Sequence, residues 1–317
     1  MEITTIASPG MWLAFTLIVF AMLALDLGVF HRDAHAVGMR EAAVWSLVWV
    51  TLALSFNGWI AFSFGAGPGL EFLTGYLIEK ALAVDNIFVF LVVFASFRVP
   101  AAYQHRVLFW GILGALVMRA IFIFLGAALI ARFHWILYVF GAFLLFTGIK
   151  LLIQRDVEPH PEDNPLFKLF TRLVPSTPHY VGGSFTTRVD GRLVATPLLL
   201  VLVLIEITDL VFAVDSIPAI FAVTHDPFLV YTSNIFAILG LRAMFFLLAG
   251  VMDRFHYLKV GLACVLIFVG AKMGLMDIYK IPIGLSLAII AGMLGLSILI
   301  SWMRPRAPEP NDGGTAH

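Results

Sequence analysis

The chain has 317 residues, of which 61% are hydrophobic and 13% charged, and its mean hydropathy is +0.98. A soluble domain carries about 25% charged residues, so this composition excludes one and indicates an all-α polytopic membrane protein. The formal net charge is zero and the pI is near 7.1, and no Lys/Arg-rich face stands out to suggest a nucleic-acid partner.

Apolar runs of roughly 20 residues, each able to cross a hydrocarbon core of about 30 Å as helix, recur along the chain. They are expected near 11–30, 44–64, 72–97, 107–130, 135–153, 197–224, 229–251, 260–275 and 283–303. That makes about nine spans. The first has no basic n-region and no Ala-x-Ala cleavage pattern, so it reads as a retained helix and not a signal peptide.

Lys and Arg fall mainly in alternate connections. One set holds Arg32, Arg40, Arg98, Arg106, Arg155, Lys168, Arg172, Arg188, Arg192, Arg254, Lys259, Arg304 and Arg306; the other holds Arg132, Lys272 and Lys280. The positive-inside bias makes the first set cytoplasmic, with the N-terminus outside and the C-terminus inside. Residues 1–303 are thus expected to form one transmembrane domain.

The longest connection, 154–196, is rich in Pro, polar and charged residues and is expected on the cytoplasmic side. Within it Asp190-Gly191, flanked by 184–189 and 192–195, predicts a short β-hairpin with a type I′ turn. His160 beside Glu158, Glu162 and Asp163 reads as a solvated polar loop, with metal sensing as the alternative. The tail 304–317 lacks apolar residues to bury and is expected to be disordered.

Two segments carry the chemistry. EKALAVDNIFVF, from Glu79, and DLVFAVDSIP, from Asp209, each place two carboxylates six residues apart in an apolar run. Charge at that depth marks a transport path or a buried ion pair. Further matches follow in the same order. Arg119-Ala120 pairs with Arg242-Ala243, Arg132-Phe133-His134-Trp135 with Arg254-Phe255-His256-Tyr257, and Gly148-Ile149-Lys150 with Gly270-Ala271-Lys272. They imply two related three-helix units, about 70–153 and 197–275. The charge bias runs the helix of Glu79 inward and that of Asp209 outward, which makes the repeat an inverted one, as in many secondary transporters.

Inversion puts Glu79 level with Asp215, and Asp85 level with Asp209. Positions six apart on a helix rise about 9 Å and point about 120° apart. One ion reaches both only if the helix breaks, with Gly75 and Pro218 as candidate break points; otherwise there are two sub-sites at successive depths. Glu79, Asp85, Asp209 and Asp215 with Asn86 and Ser216 are hard oxygen donors, suited to Mg²⁺, Ca²⁺ or Mn²⁺ as substrate. Five embedded acids, these four and Glu206, stand against Lys80, Arg119 and Arg242 as balancing cations. The balance of −2 matches one divalent cation or two protons. A pure ion-pair network leaves the surplus of carboxylates unexplained.

Cys264 is the single cysteine, which rules out an intrachain disulfide. No G-x-S-x-G, H-E-x-x-H or P-loop motif appears, so neither an enzyme nor a resident cofactor is expected.

The strings EFLTGYLIEKALAVDNIFVF and YQHRVLFWGILGALVMRAIFI, the Arg132–Trp135 element and the stretch Ile205 to Ile220 resemble the TerC/Alx family of bacterial integral membrane proteins, within the LysE-type exporter superfamily. The similarity spans roughly residues 11–303, including the Ala195-Thr196-Pro197 exit from the central loop. Ala81, where relatives often carry Ser, and Ile205-Glu206-Ile207-Thr208, where many have Val-Glu-Thr-Thr, are small departures. The resemblance implies manganese export, with Glu79, Asp85, Asp209 and Asp215 essential and Asn86 and Ser216 as auxiliary ligands. It also leaves open a scaffold role in membrane-protein assembly or metalation, with translocon contact or a homo-oligomer. An intramembrane carboxylate hydrolase is a weaker third reading.

Overall fold

The computed structural model describes residues 5–28, 38–133, 135–153, 163–189, 191–249 and 257–303. Each anticipated apolar run is carried by helix: α1 (Pro9–Gly28), α2 (Met39–Phe64), α3 (Ala66–Ser96), α4 (Ala101–Arg132) and α5 (Ile136–Ile153), then α7 (Pro197–Phe221), α8 (Pro227–Leu239), α9 (Leu241–Ala249), α10 (Leu258–Gly274) and α11 (Ile283–Met303). The protein is an all-α polytopic membrane protein, and its outer surface carries exposed Leu17, Phe62, Val117, Ile121, Phe146 and Leu296. Water would penalise such a surface; hydrocarbon does not.

The expected count of nine spans is not reached on length and composition. Among the described residues five helices, α2, α4, α5, α7 and α11, are long and apolar enough to cross a bilayer, and six if α8 and α9 form one bent span. The remaining helices fall short for separate reasons. α3 has 31 residues but carries Glu71, Glu79, Lys80 and Asp85. α10 has 17 residues, and the apolar stretch of α1 covers Pro9–Ala24.

The helix break also differs from expectation. α3 runs unbroken through Gly75, and Pro218 sits in the last turn of α7. A Cβ on Gly75 would lie 3.0 Å from Ser233 Oγ and 3.3 Å from Ile220 Cγ2, so this glycine provides clearance between helices and not a break. The bend falls between α8 and α9, 41° apart across Gly240.

α3 is the central helix. Its Phe72 and Tyr76 pack with α1, α2 and α8, its Ile78 and Leu82 with α5, α7 and α10, and its Ile87 and Phe90 with α4, α7 and α9. Around it α3 packs on α7 and α8, α4 on α7 and α8, and α5 most extensively on α10. The α5–α10 contact is made by glycine. A Cβ on Gly270 would stand 2.7 Å from the Gly141 carbonyl oxygen, and one on Gly148 2.9 Å from that of Ala263, the small-residue approach that membrane helices use in place of a hydrophobic driving force. Asp226 caps α8 through Phe228 N at 2.8 Å and also accepts Ile6 N at 2.6 Å, which ties the segment before α1 to α8.

In the central connection the structure adds a helix that the sequence reading did not contain, α6 (Pro165–Leu173). Asn164 caps it by accepting from Leu166 N at 2.9 Å, with Pro165 at the first helical position, the preferred residue types at both places. It exposes Leu166, Leu169 and Leu173 and buries Phe167. The strands β1 (Thr186–Val189) and β2 (Arg192–Ala195) pair antiparallel with Val189 opposite Arg192. Gly191 has φ 75°, as a type I′ turn requires. Tyr180 donates to the Phe97 carbonyl at 2.8 Å, and burial pushes its hydroxyl pKa up. Glu158, His160 and Glu162, the stretch Arg254-Phe255-His256, His134 of the sequence it matches, and the tail 304–317 lie outside the described residues.

Candidate functional site

The twin acidic segments meet at the centre of the molecule around Arg119 of α4. Its Nε donates to Asp209 Oδ2 at 3.2 Å and its Nη2 to Asp209 Oδ1 at 3.0 Å. Nη1 donates to Glu79 Oε1 and reaches Ser216 Oγ at 3.5 Å. Asn86 Nδ2 completes the ring by donating to Asp209 Oδ1 at 3.0 Å. All five residues are 3% exposed or less. An isolated charge at such depth is strongly unfavourable, and pairing with full hydrogen bonding is what allows it.

Helix geometry explains which residues face inward. Residues seven apart on an α-helix differ in direction by only about 20°, so Glu79 and Asn86 share one face of α3, and Asp209 and Ser216 one face of α7. Asn86 meets Asp209, and Ser216 shares Arg119 Nη1 with Glu79, the cross-pairing of two helices that run in opposite directions. The residues that meet Asp209 and, through Arg119, Glu79 are Asn86 and Ser216, the neighbours of Asp85 and Asp215.

Asp85 and Asp215 lie one position back, about 100° round their helices, and face the other pair of helices. Asp215 Oδ1 accepts from Thr147 Oγ1 of α5 at 3.1 Å, with Lys150 as its nearby cation. Asp85 faces Lys259 of α10. The structure thus does not gather four carboxylates around one point. Among the described residues no three Asp, Glu, His or Cys side chains form a preformed metal cage, and the guanidinium of Arg119 stands between Glu79 and Asp209.

The balancing residues separate in the same way. Lys80 Nζ donates to the Ala237 carbonyl at 3.2 Å and lies 5.8 Å from the Tyr76 ring centroid. Arg242 is buried on α9, beyond the bend at Gly240. Glu206, one turn before Asp209 on α7 and electrostatically coupled to it, has its carboxylate against Gly114 of α4. A Cβ at Gly114 would collide with that carboxylate. Three buried oxygens around the ring accept no hydrogen bond: Glu79 Oε2, Asn86 Oδ1 and Glu206 Oε2. The centre thus holds more oxygen acceptors than the protein supplies donors, an arrangement fit for a hard cation.

Two cavities lie near. A small one of about 10 Å³ touches Asp209 between Phe90, Leu108, Ile205 and Leu241, room for roughly one water. A larger one, about 350 Å³, opens where α5 begins and α7 and α10 end, with Glu71, His225, Lys272 and Lys280 on its wall. Sequence reasoning missed this cavity because its residues come from distant segments. Nor does the sequence single out Gly114, whose clearance for Glu206 depends on how α4 docks on α7. The available signal for the central ring was the seven-residue spacing, Glu-x₆-Asn in α3 and Asp-x₆-Ser in α7.

Residues 64–309 match the profile of the integral membrane protein TerC family. An uncharacterised membrane protein of Myxococcus xanthus is 58% identical over 308 residues, covering 97% of each chain. A protein of Escherichia coli K12 named "Putative membrane-bound redox modulator Alx" is 52% identical over 319 residues, covering 98% of this chain and 99% of its own. A Rickettsia bellii membrane protein is 43% identical over 293 residues, 92% of this chain and 97% of its own. No solved structure matches.

Proposed function

Because the chain belongs to the TerC family of integral membrane proteins, we propose that it is a secondary transporter that exports Mn²⁺ from the bacterial cytoplasm in exchange for protons. The observation that carries the reading is the ring of Glu79, Asn86, Asp209 and Ser216, buried at the centre of the bundle with oxygen acceptors to spare. Oxygen-only donors suit a hard divalent cation; the choice of Mn²⁺ rests on the family resemblance.

Nine spans and an inverted repeat belong to the same reading. An axis exchanging α3 with α7, α4 with α8 and α5 with α10 maps the α3–α8 packing onto the α4–α7 packing, and both are present. It also maps Glu79 onto Asp209 and Asn86 onto Ser216. Such a repeat puts a substrate site near the midplane and supplies alternating access by rocking of its halves.

Metal flux in proteoliposomes, with Mn²⁺, Mg²⁺ and Ca²⁺ compared and a pH-sensitive dye inside, tests the proposal. Mn²⁺ movement opposed by protons supports it. Co-purification with the translocon and no flux of any divalent ion overturns it in favour of the scaffold. A thiol-based redox activity would have only Cys264 to work with, so a dithiol cycle within one chain is ruled out.

A further inference from the structure

We infer that α6 is an interfacial anchor whose leucine flank lies in lipid at the end of the bundle where α3 finishes and α7 begins, and whose basic flank holds anionic lipid headgroups. Successive side chains on a helix point about 100° apart. In PLFKLFTRL, measured from Phe167, the residues Phe170, Leu166, Leu173 and Leu169 therefore fall about 60° to 160° round one side. Thr171, Lys168 and Arg172 fall about 40° to 140° round the other. The helix has an aromatic seam with an apolar flank and a basic flank on either side of it.

The bundle occupies the seam. Phe167 is buried, its ring edge-on to that of Phe97 with 6.1 Å between centroids, in one cluster with Leu198 and Val201. The leucine flank is left open, with Leu166, Leu169 and Leu173 exposed by 50%, 53% and 72%. A helix of nine residues is too short to persist in water by itself, and three leucines on one flank add nothing to it there. In lipid they would hold it.

The seam also sets the height of α6. Phe97 is the C-cap of α3, and Leu198 and Val201 belong to the first two turns of α7, a helix long and apolar enough to cross a bilayer. The attachment therefore lies at the level where α7 emerges from hydrocarbon. A helix fixed there along the surface turns one flank to acyl chains and the other to headgroups, as interfacial amphipathic helices do.

Charge selects the lipid. From Pro165 to Val189 the chain carries Lys168, Arg172 and Arg188 and no acidic residue. Lys168 pairs with Asp163 at 2.7 Å, but both side chains are more than half exposed, and such a pair is worth little in water. Basic side chains beside a buried apolar flank suit an anionic phospholipid.

The test uses the full-length protein in a Cys264→Ala background, with a bimane fluorophore on a single cysteine at Leu169, Leu173 or Thr171. It is reconstituted in mixed phosphatidylglycerol and phosphatidylcholine, one of them brominated in its acyl chains. Bromine should quench the labels at 169 and 173, which sit about 5–10 Å into the interface, while aqueous iodide quenches the label at 171. Brominated phosphatidylglycerol should quench more than brominated phosphatidylcholine at equal mole fraction, and R172Q should reduce that preference about fivefold. Iodide quenching at 169 and 173 without bromine quenching would place the leucines in water and overturn the anchor. Labels at 169 and 173 quenched by neither would mean that a second copy or another protein covers them, which overturns it equally. Bromine quenching with no preference for phosphatidylglycerol would overturn the headgroup site. These outcomes do not depend on what the protein transports.

Discussion

Asp209 holds the guanidinium of Arg119 through both oxygens, so it is the residue whose loss should be felt most. D209N removes the charge at constant size and leaves a buried cation short of its partner, at about 3–5 kcal/mol. Mn²⁺ export should fall to background while the protein still inserts, as cellular manganese resistance and membrane immunoblots would record. Gly114→Ala places a methyl where the Glu206 carboxylate lies. Overpacking of that kind is worth about 1–3 kcal/mol, and Gly114→Ala should lower thermal stability where Gly67→Ala, with no atom within 4 Å of the added carbon, does not. At this scale the sequence displayed the participants but not their partners. Glu79, Asn86, Asp209, Ser216 and Arg119 stand out as polar residues in apolar runs. That Asn86 and not Asp85 meets Asp209 follows from helix phase, and that Arg119 reaches both carboxylates depends on α4 docking beside α3 and α7, a contact about 40 to 90 residues distant in the chain.

Among the helices, the α5–α10 seam has the least tolerance. A side chain at Gly270 meets the backbone of Gly141 and Leu145, which cannot rotate aside. Gly270→Leu should therefore part the two helices and lower the melting temperature in detergent, whereas Gly292→Leu on α11, with nothing within 4 Å, should leave it unchanged. A similar melting temperature for both would contradict the seam. Helix existence was legible because a run of roughly 20 apolar residues has few alternatives in a bilayer. The division of α8 from α9 was not, since Ile238-Leu239-Gly240-Leu241 is uninterrupted in hydrophobicity and a lone glycine is tolerated inside helices. α6 had its cap and its proline in view, but in a stretch read for its polarity.

For the whole molecule, orientation and coupling are the open questions that experiment reaches directly. In a Cys264→Ala background, a cysteine at Thr186 should be labelled only from the cytoplasmic side and one at Gly67 only from outside; labelling from one common side contradicts the inverted repeat. Metal ligands must be deprotonated to bind, so Mn²⁺ affinity should weaken as pH falls through the carboxylate range, and an inward proton gradient should accelerate export. Flux indifferent to an imposed pH gradient would point to a channel or to a uniporter driven by membrane potential.

The glycine seam has a mechanical consequence. Where α5 and α10 touch backbone to backbone there is no layer of side chains to repack, so the line between them resists both sliding and opening. It has the properties of a fulcrum. Asp215 is tied to it through Thr147, and Lys259 of α10 is the charge neighbour of Asp85, so in a rocking motion about this line these two carboxylates would move little. α2 and α9 pack on each other and not extensively on α5 or α10, so in such a motion they would be displaced more. Spin labels placed along α9 and along α5 would read that gradient as distance changes that grow away from the seam.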